Sequence, residues 1–143
     1  MGEERIEVYM ENAREHLETA KIVANAGKYF DSVFHCIMCI ENATSSIILR
    51  IGATPSKRHA NHLILRRLAR SVKPELKEGF EKVLKFTAEL LPQISKTRYP
   101  FVSGDKMFIP SNFYDKTHAD ESIEKAGYTY AFANEFLGRK LKG

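Results

Sequence analysis

The chain has 143 residues, 43% hydrophobic and 28% charged, with a net charge of +4 at pH 7. That is one domain with room for a real core, and the balance excludes a disordered polymer. The longest purely apolar runs are a few residues, which argues against a membrane span, and the acidic N-terminus is unlike an export signal, so a cytoplasmic address is expected.

Ile6, Met10, Ala13, Leu17, Ala20 and Ala24 recur at spacings of 4, 3, 4, 3 and 4, which predicts a first helix over residues 3–26 with a narrow bundle-type seam. Gly27 ends it, and Lys28 alone separates it from a second helix, so the two form an antiparallel hairpin. Residues 28–52 then carry Tyr29, Phe30, Val33, Phe34, Ile37, Ile40, Ile47, Ile48 and Ile51 at helical spacing. Their arc is as broad as a helix in the middle of a bundle requires. Glu41 lies inside that arc, and Asp31, His35, Asn42 and Ser46 line the far side as a polar stripe. The apolar face belongs in the subunit's own core; the polar face, with His35 and Asn42, is expected at a partner subunit or a ligand.

Cys36 and Cys39 form a C-x-x-C inside this helix, without the strand and helix start that a redox pair needs. His35 supplies a third potential zinc ligand, but no fourth is near in sequence, so both cysteines read as small buried residues.

Thr54-Pro55-Ser56 makes a turn, with Ser56 as N-cap of a short helix over residues 57–72. Lys57, Arg58, Arg66, Arg67, Arg70 and Lys73 stand here without an acid. This segment is therefore +6, and the rest of the chain −2. His59, His62, Arg66, Arg70 and Lys73 fall opposite Ile64, Leu65, Leu68 and Val72. Aligned cations of this kind suit phosphates, or else form the solvated side of a surface helix.

Pro74 opens a long helix with Leu76, Phe80, Val83, Thr87, Leu90 and Ile94 on its seam, and Pro92 predicts a kink or stop. Between Thr97 and Lys116 periodicity disappears; two internal prolines, a Ser-Gly turn and five aromatics suggest a functional loop lying back on the bundle. Thr117, with Asp120 three residues on, resembles a capping box for a last helix whose seam is Ile123, Ala126, Tyr130, Ala133, Leu137 and Leu141. Strand signals are absent. The expected fold is a single all-α domain, an up-and-down four-helix bundle with an additional short helix between the second and third long helices.

Several features together resemble one family. Gly27-Lys28-Tyr29-Phe30 is followed by Asp31-Ser32-Val33-Phe34 and Cys39-Ile40-Glu41-Asn42-Ala43; His62-Leu63 opens the short helix; Arg98-Tyr99-Pro100 closes the fourth helix; Tyr114, Thr117 and Ala119 lead into the last. In this order the pattern is similar to the small stand-alone prokaryotic form of the HEPN domain (higher eukaryotes and prokaryotes nucleotide-binding), over nearly the whole chain. The resemblance implies a homodimer, association with a separately encoded minimal nucleotidyltransferase in a toxin–antitoxin-like pair, and binding of a nucleotide or RNA, with no metal or cofactor. Many relatives are metal-independent ribonucleases using Arg, four to six residues, then His. Here Ser103, Gly104 and Asp105 follow Arg98 at that spacing, so a non-catalytic binding module is expected.

The candidate binding residues are Arg98, Tyr99, His62, Arg66 and Arg70. Arg98 grips a phosphate while Tyr99 stacks on a base, or else Arg98 neutralises Glu41. The alternative is a ribonuclease using Arg98 with His118 or His62 as acid or base.

Overall fold

The computed structural model describes residues 2–140. Leu141, placed on the last helix's seam by its spacing, lies outside them. Helix α1 (Gly2–Asn25) buries Ile6, Met10, Ala13, Leu17 and Ala20, the seam its spacing predicts. Gly27, at φ +79°, reverses the chain, and Lys28 N–H closes the turn on the Val23 carbonyl. Helix α2 (Tyr29–Ile51) follows antiparallel and is the centre of the molecule. It is long and apolar enough to cross a membrane, yet 67% of its most apolar stretch is buried inside the bundle. Its side chains are already used in packing against α1 and the C-terminal helix. Cys36 and Cys39 are fully buried and unpaired, as their position in the apolar arc predicts.

The short helix differs from its expected form. Residues 57–60 are not helical, and α3 runs only over Asn61–Leu68, continuing as a 3-10 turn over Ala69–Ser71. Ser56 does not cap it. Its Oγ instead accepts the N–H groups of Arg58 and Ala60, a local turn that competes with helix. After a 3-10 turn at Pro74–Leu76, α4 (Lys77–Leu90) buries Phe80, Val83, Thr87 and Leu90. At Leu91–Thr97 the chain tightens into 3-10 helix around Pro92, the early stop the proline imposes.

The aperiodic stretch does contain strands, contrary to the expectation of none. Phe101–Ser103 (β1) and Lys106–Phe108 (β2) pair antiparallel across a turn at Gly104, φ +67°. Three residues per strand are too few for alternation to register in a sequence. Phe101, Phe108 and Phe113 cluster with centroids 5.0 to 6.0 Å apart, so these aromatics hold the hairpin against the short helix α5 (Pro110–Phe113). The last helix, α6 (Lys116–Leu137), begins two residues earlier than Thr117 as a cap would place it. Its cap is Asp115, and the reciprocal residue of the box is His118, not Asp120. Helices α1, α2, α4 and α6 form the four-helix bundle, with α3 inserted between the second and third, as the periodicity predicts.

Candidate nucleic-acid interface

Three groups of polar side chains lie on or around α2. The first lies at its N-terminal end. Asp31 is in the first turn, where the helix dipole favours a carboxylate. Its Oδ1 is 3.2 Å from Arg98 Nη1, and the Arg98 guanidinium carbon sits 3.3 Å above the Phe34 ring. Arg98 therefore neutralises Asp31, not Glu41 as its expected structural role required. The 3-10 segment ending at Thr97 delivers it to the start of α2. Asp31 Oδ2 is 3.7 Å from His35 Nε2, and His35 Nδ1 is 2.9 Å from His16 Nδ1 on α1. Burial is the main cause holding both imidazoles below their ordinary pKa; for His35, Asp31 opposes the shift and Arg98 adds to it. Tyr99 projects outward and is 67% exposed.

The polar stripe of α2 meets α1 of the same chain. Asn42 Oδ1 accepts from Asn12 Nδ2 at 3.0 Å, and Ser46 Oγ donates to the Ile6 carbonyl at 3.2 Å. His35 meets His16 in the same way. What sequence spacing leaves without a neighbour is thus satisfied within the hairpin. Asn42 also reaches an open groove of about 840 Å³ along α1, lined by Arg5, Val8, Tyr9 and Asn12.

The second group is centred on Glu41, which is half-buried and bonded to His59 Nδ1 at 2.5 Å. His59 lies outside α3, in a left-handed conformation with φ +56° that non-glycine residues seldom adopt. Asn61, fully buried, anchors this loop. Its Nδ2 lies 3.0 to 3.1 Å from the Glu41 carbonyl, Thr44 Oγ1 and Ser45 Oγ, while its Oδ1 accepts from Ser56 N–H. The signal for it was weak, since an Asn after a turn reads as loop.

The third group is cationic. Lys57, Arg58, Arg66, Arg67, Arg70 and Lys73 are all exposed. Arg14, Arg50, Arg98 and Arg139 each pair with acids, whereas none of those six makes an ion pair among the described residues. His62, at the start of α3, is half-buried with its Nδ1 unpartnered; burial and then Arg66 lower its pKa.

His118 is engaged elsewhere. Its backbone N–H donates to Asp115 Oδ1, and its ring stacks on Phe113 and meets Tyr114 edge-on. Its contacts do not include Arg98. By contrast, Arg98 and His35 share the Asp31 carboxylate, an association across 63 residues of chain that no local spacing rule detects.

Comparison with known proteins agrees with this architecture. A protein from Methanocaldococcus jannaschii named "Putative toxin MJ1304" is 27% identical over 140 residues, covering 93% of this chain and 88% of the relative. The crystal structure of TT1696 from Thermus thermophilus superposes with a TM-score of 0.65 at 24% identity, covering 93% of this chain and 98% of that one, and so shares the fold. The HEPN domain model matches residues 6–136, from the buried Ile6 of α1 to Phe136 near the end of α6. With the bundle, the inserted cationic helix and the Arg98 turn all inside that match, the chain belongs to the HEPN domain family.

Proposed function

We propose that this protein is the HEPN component of a toxin–antitoxin-type pair, and that it binds RNA or a nucleotide through the cationic surface of residues 57–73 together with Arg98 and Tyr99. The observation that carries the reading is one exposed cationic surface with no acid inside it. Arg14, Arg50 and Arg139 are matched by carboxylates, whereas on α3 and its flanks phosphates supply the missing partners, and Arg98, whose side chain stays 38% exposed beside Asp31, adds a further cation at the start of α2. Exposed Tyr99 adds a stacking platform for an unpaired base. The toxin name of the archaeal relative supports the system-level assignment. In this reading the protein is a cytoplasmic homodimer, meeting its copy along the groove beside α1, where Val8 is 64% exposed, and docking a separately encoded minimal nucleotidyltransferase.

Fluorescence anisotropy with a labelled single-stranded RNA tests the binding surface. Affinity should fall with salt, and each phosphate contact removed should reduce the log–log slope by about 0.7. Arg66→Glu with Arg70→Glu should abolish binding, and unchanged affinity in that folded variant refutes the site. The same RNA incubated in chelator separates binding from chemistry. Cleavage lost in Arg98→Ala would establish the ribonuclease reading instead.

A further inference from the structure

The facing pair His16 and His35 has a geometry that the nucleic-acid reading leaves unused. One ring comes from α1 and the other from α2; their Nδ1 atoms are 2.9 Å apart and their planes 30° from parallel. Neutral imidazole is the form that ligates metals. In the hydrogen-bonded pair one Nδ1 carries a proton and the other accepts it. Moving that proton to Nε2 of its own ring, and turning the two rings so that both Nδ1 lone pairs face the same side, gives one ion two ligands with no net change in protonation.

On His35 the resulting Nε2–H lies near the Asp31 carboxylate, just beyond hydrogen-bond distance. Asp31 Oδ2 is 3.7 Å away, and the other Asp31 oxygen is held by Arg98 at 3.2 Å. A carboxylate on the distal ring nitrogen is the usual outer support of a metal-bound histidine. The spacing also favours one class of ion. With metal–nitrogen bonds of about 2.0–2.1 Å, nitrogens 2.9 Å apart subtend roughly 90° at the metal, the cis angle of a square-planar or octahedral ion, not the wider tetrahedral angle of zinc.

We propose that His16 and His35 form a two-histidine site for Cu²⁺ or Ni²⁺, with Asp31 as its outer-sphere partner and solvent completing the coordination. No group of three or more His, Cys, Asp or Glu is placed to hold a metal among the described residues, so two protein ligands are the whole set. Such an ion bridges α1 and α2 and stabilises the native state by mass action.

Tag-free, chelator-stripped protein titrated with copper(II) chloride, and separately with nickel(II) chloride, provides the test. One ion per chain should bind and raise the melting temperature by several degrees. The copper form should show an electron paramagnetic resonance spectrum with coupling to two nitrogens. His16→Gln and His35→Gln should each remove both effects, Asp31→Asn should weaken binding, and His118→Gln should leave it intact. No shift at excess of either metal would overturn the proposal. So would retention of the two-nitrogen signal in a variant at His16 or His35 whose circular dichroism matches wild type.

Discussion

Gly79 and Gly127 both lie inside helices, and substituting each by alanine should change stability in opposite directions. Glycine in a helix interior costs about 0.5–1 kcal/mol relative to alanine, so the intrinsic effect is stabilising at both positions. At Gly127 a Cβ meets nothing within 4 Å, and the full gain of about 0.5–1 kcal/mol should appear. At Gly79 a Cβ would lie 2.5 Å from Phe132 Cε1 and 2.6 Å from Cδ1. Carbon atoms prefer about 3.5–4.0 Å, so the ring must move by about 1 Å. Phe132 is only 6% exposed and packs against Phe136, so the move disturbs the α4–α6 contact. Overpacking of this kind costs about 1–3 kcal/mol, which outweighs the helix gain and leaves Gly79→Ala less stable by roughly 0.5–2 kcal/mol. The melting temperature should drop by about 2–8 °C. Urea denaturation with an unchanged m-value is the assay, and Phe132→Leu in the Gly79→Ala background should recover part of the loss. A Gly79→Ala protein at least as stable as wild type would refute the argument that this glycine exists for close helix approach.

Asn61→Ala should cost about 1–3 kcal/mol, because buried partners on α2 lose their hydrogen bonds, and limited proteolysis should then cut within residues 56–60. Intact cleavage resistance would count against Asn61 as the anchor. Burial pushes the Cys36 thiol up to about 12, so the folded protein should resist iodoacetamide at pH 8 and react fully only in denaturant. His16, His35 and His62 all have lowered pKa values, so the unfolded chain binds more protons near pH 6. Stability in chelator should be full above about pH 6.5, fall as pH drops through the lowered native values, and level off beneath them. Nuclear magnetic resonance should place the His62 midpoint below that of a free imidazole, and a midpoint above it would contradict the burial argument.

The periodicities of residues 6–24, 29–51, 76–94 and 123–137 are sufficient to derive the bundle, because each buried stripe repeats at the pitch of a helix whatever it packs against. Pro92 and Gly27 acted as their local chemistry demands, and the family pattern was readable from ordered short motifs. The pairings were not. A half-buried acid in the arc points to Arg98 as the partner of Glu41, but the side chain that reaches it is His59, positioned by a left-handed backbone and an Asn61 anchor. The hairpin at Phe101–Phe108 leaves no pattern in the sequence because three-residue strands carry no period. The amino-acid sequence alone therefore determined which residues are buried, the order of the helices and the concentration of positive charge at 57–73. Only the tertiary structure decided that Asp31 joins Arg98 to His35 and that His35 meets His16. Burial is a property each residue carries along its own helix, whereas a contact between side chains depends on how separate helices are rotated and shifted against one another.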